Sequence, residues 1–336
     1  MQLDRFRGLS ASLDTISPSE IKRVFPNPSL IEIEGDRSPP LFVSVLLHGN
    51  ETSGLEVLKA LRQKLARGKP ARSLMIFVGN VDATAQGLRF VDGQPDHNRI
   101  WAGGDTAFHK MAKHVTDLAR QAKVFASIDV HNNTGANPLY GCVSVQRAAD
   151  LHLAARFAPQ GVYYRNPPTT LSIAFSKFCP SITLECGQPG EAHGIQAALD
   201  LIDYASDIDA FPEQPPATEA LTMYETVGRV LVSPRATIGF GDEPADIIFP
   251  ATFEAQNFKP VQAGSVWAQS RVSLPLVVLD ELGHDLTGNF FERSGDKIRL
   301  LRDVVPAMIT RDKDVIAKDC LCYLMVPEND VQLVKS

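Results

Sequence analysis

"FVSVLLHGNETSG", residues 42–54, decides how the rest of the chain is read. Phe42, Val43, Val45, Leu46 and Leu47 surround a single Ser44, a short apolar run of the kind a buried strand requires. The chain then turns polar at once, with His48, Asn50, Glu51, Thr52 and Ser53 ahead of Gly54. An imidazole and a carboxylate three residues apart at the end of a core strand need a reason, because an unpaired charge in such a place is costly.

Downstream, "SGLEVLKALRQKLARG" repeats Leu55, Leu58, Leu61 and Leu65 at helical spacing, with Thr52 or Ser53 to cap the start and Gly68 to end it. "SLMIFVGN" reads as the next strand. A second amphipathic helix opens at Asp105, runs through "TAFHKMAKHVTDLARQA" and feeds the strand "VFASIDV". "SITLEC" reads as another buried strand, followed by a helix over "AHGIQAALDLIDYAS". Strands alternating with helices predict an α/β fold, a mixed, mostly parallel twisted sheet with helices on both faces.

The pattern changes after residue 210. "FPEQPPATEA" holds three prolines among polar residues and reads as a linker. Beyond it come the short β-like runs "GRVLVS", "LPLVVL", "KIRLL", "AMIT" and "LCYLMV", with no long helix between them. The expected division is a catalytic domain over residues 1–212 and a smaller C-terminal β-rich domain over 218–336.

Composition is consistent with this. The 336 residues are 44% apolar and 21% charged, an ordinary globular balance, and a net charge of −6 disfavours nucleic-acid binding, which rests on basic surface. No window approaches a membrane span, and the opening "MQLDRFRGLSASLDTISPSE" lacks the apolar core of a secretory leader, so the expectation is a soluble cytoplasmic protein. Five cysteines, with no C-x-x-C pair, do not form a disulfide framework. The sequence leaves homo-oligomerisation open.

In an open α/β sheet, ligands bind beyond the carboxyl ends of the strands. Three strand ends carry polar groups there: His48 with Glu51, then "SIDVHNNTG" ending at His131, then "SITLECGQPG" ending at Glu185. A loop segment, "GLRFVDGQPDHNRIW", adds Arg89, Asn98 and Arg99. Two histidines and one glutamate are a ligand set of catalytic zinc, with one position left for water. His-x-x-Glu can put both side chains on one cation if the loop turns at once, a turn Gly49 permits. Asp129, two residues before His131, shares its strand face and can orient the ring. Glu185, from another strand, is free to shuttle protons for the activated water.

Taken singly, these residues have ordinary readings: His131 as a core histidine, Glu185 as a helix-capping carboxylate, Arg99 as an ion-pair partner of Asp96. Those readings leave unexplained why all the groups end apolar strands. His97, His109, His114, His152, His193 and His284 have no ligand partner at useful spacing and read as surface or structural. Cys186, beside Glu185, has no base in local pattern and reads as a small core residue.

The ordered motifs "HGNE" at 48–51, "DHNR" at 96–99, "DVH" at 129–131 and "LECGQPG" at 184–190 resemble the succinylglutamate desuccinylase/aspartoacylase family, a branch of the M14 zinc carboxypeptidases. "IIFPATFEAQNFKPVQAGS" is similar to the segment opening that family's C-terminal β domain. The resemblance implies a zinc-carboxypeptidase-like fold and one Zn²⁺ per chain on His48, Glu51 and His131, with Glu185 as general base and acid. It also implies that Arg89 stabilises the oxyanion and that Asn98 and Arg99 grip a substrate carboxylate. The implied activity is hydrolysis of the amide bond of a small-molecule N-acyl amino acid or peptide-like substrate. The alternatives are a carboxypeptidase acting on a peptide C-terminus and a metal-binding member without catalysis. Family members acting on acidic N-acyl amino acids carry an arginine shortly before the catalytic glutamate. Here that stretch holds Lys177, with Arg165 farther upstream, and "GNFFERSG" puts Phe290 and Phe291 where a C-terminal-domain tyrosine is sought.

Overall fold

The computed structural model describes residues 2–328, which fold as two compact units. The first takes in the chain up to Asn132 and Leu139–Thr222; the second takes in Asn133–Pro138 and the chain from Met223 onward. Residues 133–138 are thus an exception to a division at a single point in the chain.

In the first unit the strands are β1 (Asp4–Phe6), β2 (Ser29–Ile33), β3 (Arg37–Val45), β4 (Arg72–Val78), β5 (Ser127–His131), β6 (Tyr140–Val143), β7 (Gln160–Tyr163) and β8 (Ser181–Glu185). Their order across the sheet is β1-β2-β4-β3-β5-β8-β6-β7. The centre, β4-β3-β5-β8, is parallel throughout, while β2 on β4 and β6 on β8 run antiparallel. Central parallel strands are covered on both faces, which is why Val43, Val45, Ile128, Val130, Ile182 and Leu184 are all buried.

The helices of this unit are α1 (Ser53–Leu65), α2 (Val81–Gln86), α3 (Ala107–Gln121), α4 (Ala148–Phe157), α5 (Leu171–Ser176) and α6 (Ala192–Asp207). Neighbouring strand residues point to opposite faces. Phe42 meets Phe175 of α5 with ring centroids 4.4 Å apart, and the apolar side of α3 joins the same cluster through Met111 and Val115. Val45, on the other face, lies so close to Gly54 of α1 that a Cβ there would come within 2.9 Å of its side chain. Two details differ from the sequence reading. Thr52 stands at the N-cap of α1, but its side chain makes no capping bond: the Ser53 N–H donates to Oδ1 of Asn132 at 3.1 Å, a partner 79 residues away. Helix α3 is capped by Thr106, one residue after Asp105, whose side chain accepts from the His109 N–H.

The second unit contains two sheets. In the first, β9 (Thr222–Val232) pairs antiparallel with β13 (Leu276–Leu279) and β17 (Cys322–Pro327), and β17 with β16 (Val305–Ala307). In the second, β10 (Ile238–Phe240), β11 (Ile247–Phe249), β12 (Val266–Ser270), β15 (Lys297–Leu300) and β14 (Phe291–Ser294) follow in that order. Its helices are short, α7 (Thr287–Phe290) and α8 (Lys313–Lys318). The run "AMIT" is not a strand as a whole: pairing ends at Ala307, and Met308 takes a left-handed backbone, φ 61°. The core is aromatic, with Trp267 between Phe291 at 4.9 Å and Phe253 at 5.2 Å. Phe290 and Phe291 both belong to this core. Among the described residues no helix is long and apolar enough to cross a membrane.

Candidate metal centre and active site

Strand β3 ends at Val45, and the chain turns at Leu46, whose backbone is left-handed, φ 58°. The Leu46 carbonyl accepts from Asn80 N at 2.7 Å, which pins the turn at the head of α2. Gly49 and Asn50 form the next turn, where the Glu51 N–H donates to the His48 carbonyl at 3.3 Å, as the His-x-x-Glu spacing requires. A Cβ on Gly49 would lie 2.1 Å from the Ala83 carbonyl carbon and 2.2 Å from the Thr84 nitrogen, so only a glycine lets the loop rest on α2. His48 and Glu51 are thereby carried over the carboxyl end of β3.

The adjacent strand β5 delivers His131 at its last position, and the next, β8, delivers Glu185 on the same rung: the parallel register pairs His131 with Glu185. Residues side by side on one rung share a face of the sheet. The three strand ends read as polar in the sequence are therefore those of three neighbouring strands.

His48, Glu51 and His131 are buried, at 3%, 7% and 3% exposure, and each offers a ligand atom within 4.8 Å of the others. The Glu51 carboxylate bridges the two rings, with Oε1 2.7 Å from His48 Nδ1 and Oε2 2.7 Å from His131 Nδ1. Behind each ring stands a second carboxylate. His48 Nε2 lies 2.9 Å from Asp96 Oδ1, and His131 Nε2 lies 2.9 Å from Asp129 Oδ2. Asp129 is itself steadied by the Ser44 hydroxyl at 2.5 Å.

The electrostatics follow from this packing. Burial by itself would raise the Glu51 carboxyl, but the two imidazoles outweigh it and hold the group well below the usual carboxylate range. Burial would lower His131, yet Asp129 and Glu51 push its proton affinity well above that of a free imidazole. An arrangement in which one carboxylate joins two rings by Nδ1, while two further carboxylates accept from Nε2, fits a divalent ion bound through the Nδ1 atoms and Glu51. Asp96 and Asp129 would keep the rings in the tautomer that leaves Nδ1 to the ion.

Glu185 differs from the ligand carboxylate. Burial lifts its carboxyl to about 8; His131 and Arg89 oppose the shift, and Glu51 and Asp129 add to it. Arg89 is brought to the site by the loop after α2, where Nη2 donates to Asp96 Oδ2 at 3.3 Å and Nη1 stands 3.7 Å from Glu51 Oε1. Asn98 is buried, and its Oδ1 accepts from Leu171 N at 2.9 Å at the start of α5. Its Nδ2 lies 3.5 Å from His131 Nε2. Arg99 is half-buried and donates from Nη1 to the Asn98 carbonyl at 2.9 Å.

Three contributors escaped the sequence reading. Asp96 was considered only as a partner for Arg99, whereas its carboxylate holds His48, Arg89 and the Asn98 N–H at 2.7 Å. Asn132 faces Glu51 Oε2 with its N–H at 3.3 Å while its side chain bonds Ser53 and the Gly187 carbonyl. Ser44, the lone hydroxyl inside the opening apolar run, carried a signal that could have been followed to Asp129. Lys177 and Arg165 are exposed, and Arg165 lies over the Tyr163 ring at 5.5 Å. His97 is buried in the "DHNR" loop, and the Cys186 thiol is buried and pushed up by that burial.

Comparison with known proteins points the same way. Residues 38–199 match the succinylglutamate desuccinylase/aspartoacylase catalytic domain. The chain is 38% identical over 100 residues to the succinylglutamate desuccinylase of Pseudomonas paraeruginosa, covering 27% of this chain and 28% of that one. With the Pseudomonas fluorescens succinylglutamate desuccinylase it is 29% identical over 191 residues, 49% of this chain and 55% of the relative. The chain thus spans between about a fifth and about half of the length of the curated relatives it matches. Among solved structures, Chromobacterium violaceum succinylglutamate desuccinylase superposes with a TM-score of 0.58 at 18% identity, covering 89% of this chain and 88% of that one. Murine aminoacylase 3 superposes with a TM-score of 0.57 at 18% identity, covering 86% and 96%. At such identities these two likenesses establish the shared fold.

Proposed function

The chain belongs, through residues 38–199, to the succinylglutamate desuccinylase/aspartoacylase family, and from that premise we propose a zinc-dependent hydrolase that cleaves the amide bond of an N-acyl amino acid or a similar small carboxylate-bearing amide. The observation that carries this reading is the meeting of His48, Glu51 and His131, with Glu185 on the rung beside His131.

A Zn²⁺ ion held by His48, Glu51 and His131, one per chain, would supply positive charge that polarises an amide carbonyl and acidifies water. Glu185 takes the proton of the attacking water as the new C–O bond forms, then returns it to the nitrogen as the C–N bond breaks; a carboxyl with raised proton affinity suits both halves. Arg89, oriented by Asp96, sets its guanidinium charge near the carbonyl oxygen as that atom gains charge. The amide of Asn98 and the guanidinium of Arg99 hold the substrate carboxylate, a task suited to a planar donor able to bond both oxygens. Five free cysteines support a reducing compartment, the cytoplasm.

The test is a screen of N-acyl amino acids and short peptides with the zinc-loaded protein, paired with Glu185→Ala. Turnover of an N-acyl amino acid that vanishes in the variant, with metal content kept near one per chain, is the expected result. Unchanged turnover in the variant rules the mechanism out, and a preference for peptides points to a carboxypeptidase.

A further inference from the structure

Strand β5 ends at His131, and the side chain of the next residue, Asn132, is engaged at both its oxygen and its nitrogen within the first unit. Oδ1 accepts from the Ser53 N–H at 3.1 Å, and Nδ2 donates to Ser53 Oγ at 2.9 Å and to the Gly187 carbonyl at 3.0 Å. The backbone N–H of the same residue donates to Glu51 Oε2 at 3.3 Å. Asn132 is 5% exposed and Ser53 is fully buried, so water offers neither a substitute for a lost partner. A carboxylate has no hydrogen to give Gly187, and a hydroxyl has only one, so a short side chain that bonds in this pattern must be an amide.

These bonds join the pieces of chain that build the site. Ser53 lies two residues past Glu51, Asn132 follows His131, and Gly187 lies two residues past Glu185. The loop after β8 is drawn in further by the Cys186 N–H, which donates to the His131 carbonyl at 2.9 Å, and by the Gly190 N–H, which donates to Ser53 Oγ at 3.4 Å. The direct bond between Glu51 and His131 uses atoms that an ion would claim, whereas the Asn132 carboxamide uses none of them. We propose that Asn132 is a positioning residue of the metal centre. Its carboxamide locks the loop bearing Glu51 against the strand end bearing His131, 80 residues farther along the chain, so that the donor atoms are gathered before the ion arrives. This rests on the metal centre proposed above. Ligands held in place beforehand bind more tightly, because less ordering remains to be done on binding.

The experiment uses the full-length protein stripped of metal, with Zn²⁺ affinity measured by competition with a chromophoric chelator and the visible spectrum recorded after loading with Co²⁺. Asn132→Ala should weaken Zn²⁺ binding by about tenfold or more and alter the Co²⁺ bands, as loss of an orienting partner does elsewhere. Ser53→Ala, which removes one acceptor of the carboxamide, should shift both readouts in the same direction. A merely structural role would lower the melting temperature of the metal-free protein while leaving affinity and spectrum as in the wild type, and that result overturns the proposal. Should Asn132→Ala not fold, Ser53→Ala decides it in the same way. Wild-type protein that takes up no Zn²⁺ removes the metal centre and the role of Asn132 together, whereas equal binding by the wild type and both variants removes the role of Asn132 alone.

Discussion

Nε2 of His48 lies 2.9 Å from Oδ1 of Asp96, a residue from a loop 48 positions farther along the chain, and the same carboxylate holds Arg89 through its other oxygen at 3.3 Å. One acid therefore sets both a candidate metal ligand and the arginine assigned to the oxyanion. Asp96→Ala should lower Zn²⁺ affinity by about 10- to 100-fold, the usual effect of removing a carboxylate behind a ligating histidine. Isothermal titration or chelator competition checks this. Affinity equal to wild type would show that Asp96 does not orient the ring.

The raised proton affinity of Glu185 makes a prediction for the metal-free protein. Its carboxyl, lifted by burial from 4.5 to about 8, is still protonated in the folded state where the unfolded chain has lost that proton. The stability this group contributes is complete below the unfolded value and drains away as pH rises through the folded one. Glu185→Gln keeps the shape but not the titration. The variant should gain stability over wild type as pH rises across that window, by on the order of 2 kcal/mol at its upper end after discounting for partial contact with solvent. Urea denaturation in EDTA at several pH values measures the gap, and a difference constant with pH contradicts it.

His97 predicts the opposite slope. It is 1% exposed, neither ring nitrogen has a hydrogen-bond partner among the described residues, and its ring meets Phe108 edge-on at 5.4 Å. Burial pushes its proton affinity down from 6.5 to about 4, so between those values the unfolded chain takes up a proton that the folded one refuses. Stability is lost as pH falls through that range, by up to about 3 kcal/mol. His97→Leu should flatten this part of the profile. If the acid limb of the variant follows that of the wild type, His97 is not its source.

Gly49 and Gly68 form a matched pair. A Cβ at Gly49 meets the backbone of Ala83 and Thr84 near 2 Å, whereas at Gly68 it meets nothing within 4 Å. Backbone cannot move aside as a flexible side chain can, so Gly49→Ala should cost about 3 kcal/mol or more and disturb metal uptake, a large loss with a named steric cause. Gly68→Ala should be neutral or stabilise by up to about 1 kcal/mol by restricting the unfolded chain. Denaturant midpoints of the two variants, measured side by side, decide the matter.

Much of the first unit was legible because its central strands are apolar on both faces and its helices repeat at helical spacing. Strands β3, β5 and β8 announce themselves as unbroken runs, and each stops at a polar residue. The short strands β6 and β7, four residues apiece and each containing a glycine, have no such signature and went unread. In the second unit the run "AMIT" misled, since its β-branched and apolar residues straddle the point where pairing ends and the backbone of Met308 turns left-handed. Phe290 and Phe291 lie in an aromatic core, where their size is what packing calls for.

By itself the sequence determined the alternation of strands and helices and the chemical identity of the groups at the strand ends, since periodicity and residue type act within a few positions along the chain. Tertiary structure alone decided that Asp96 backs His48, that Asn132 accepts from the first N–H of α1, that Leu46 takes a left-handed backbone ahead of the turn at Gly49, and that residues 133–138 fold with the β-rich unit. Those outcomes depend on strand order, register and loop closure, which join residues up to about 170 positions apart in the chain. A hydrogen bond formed across such a distance leaves no mark in the local pattern on either side of it.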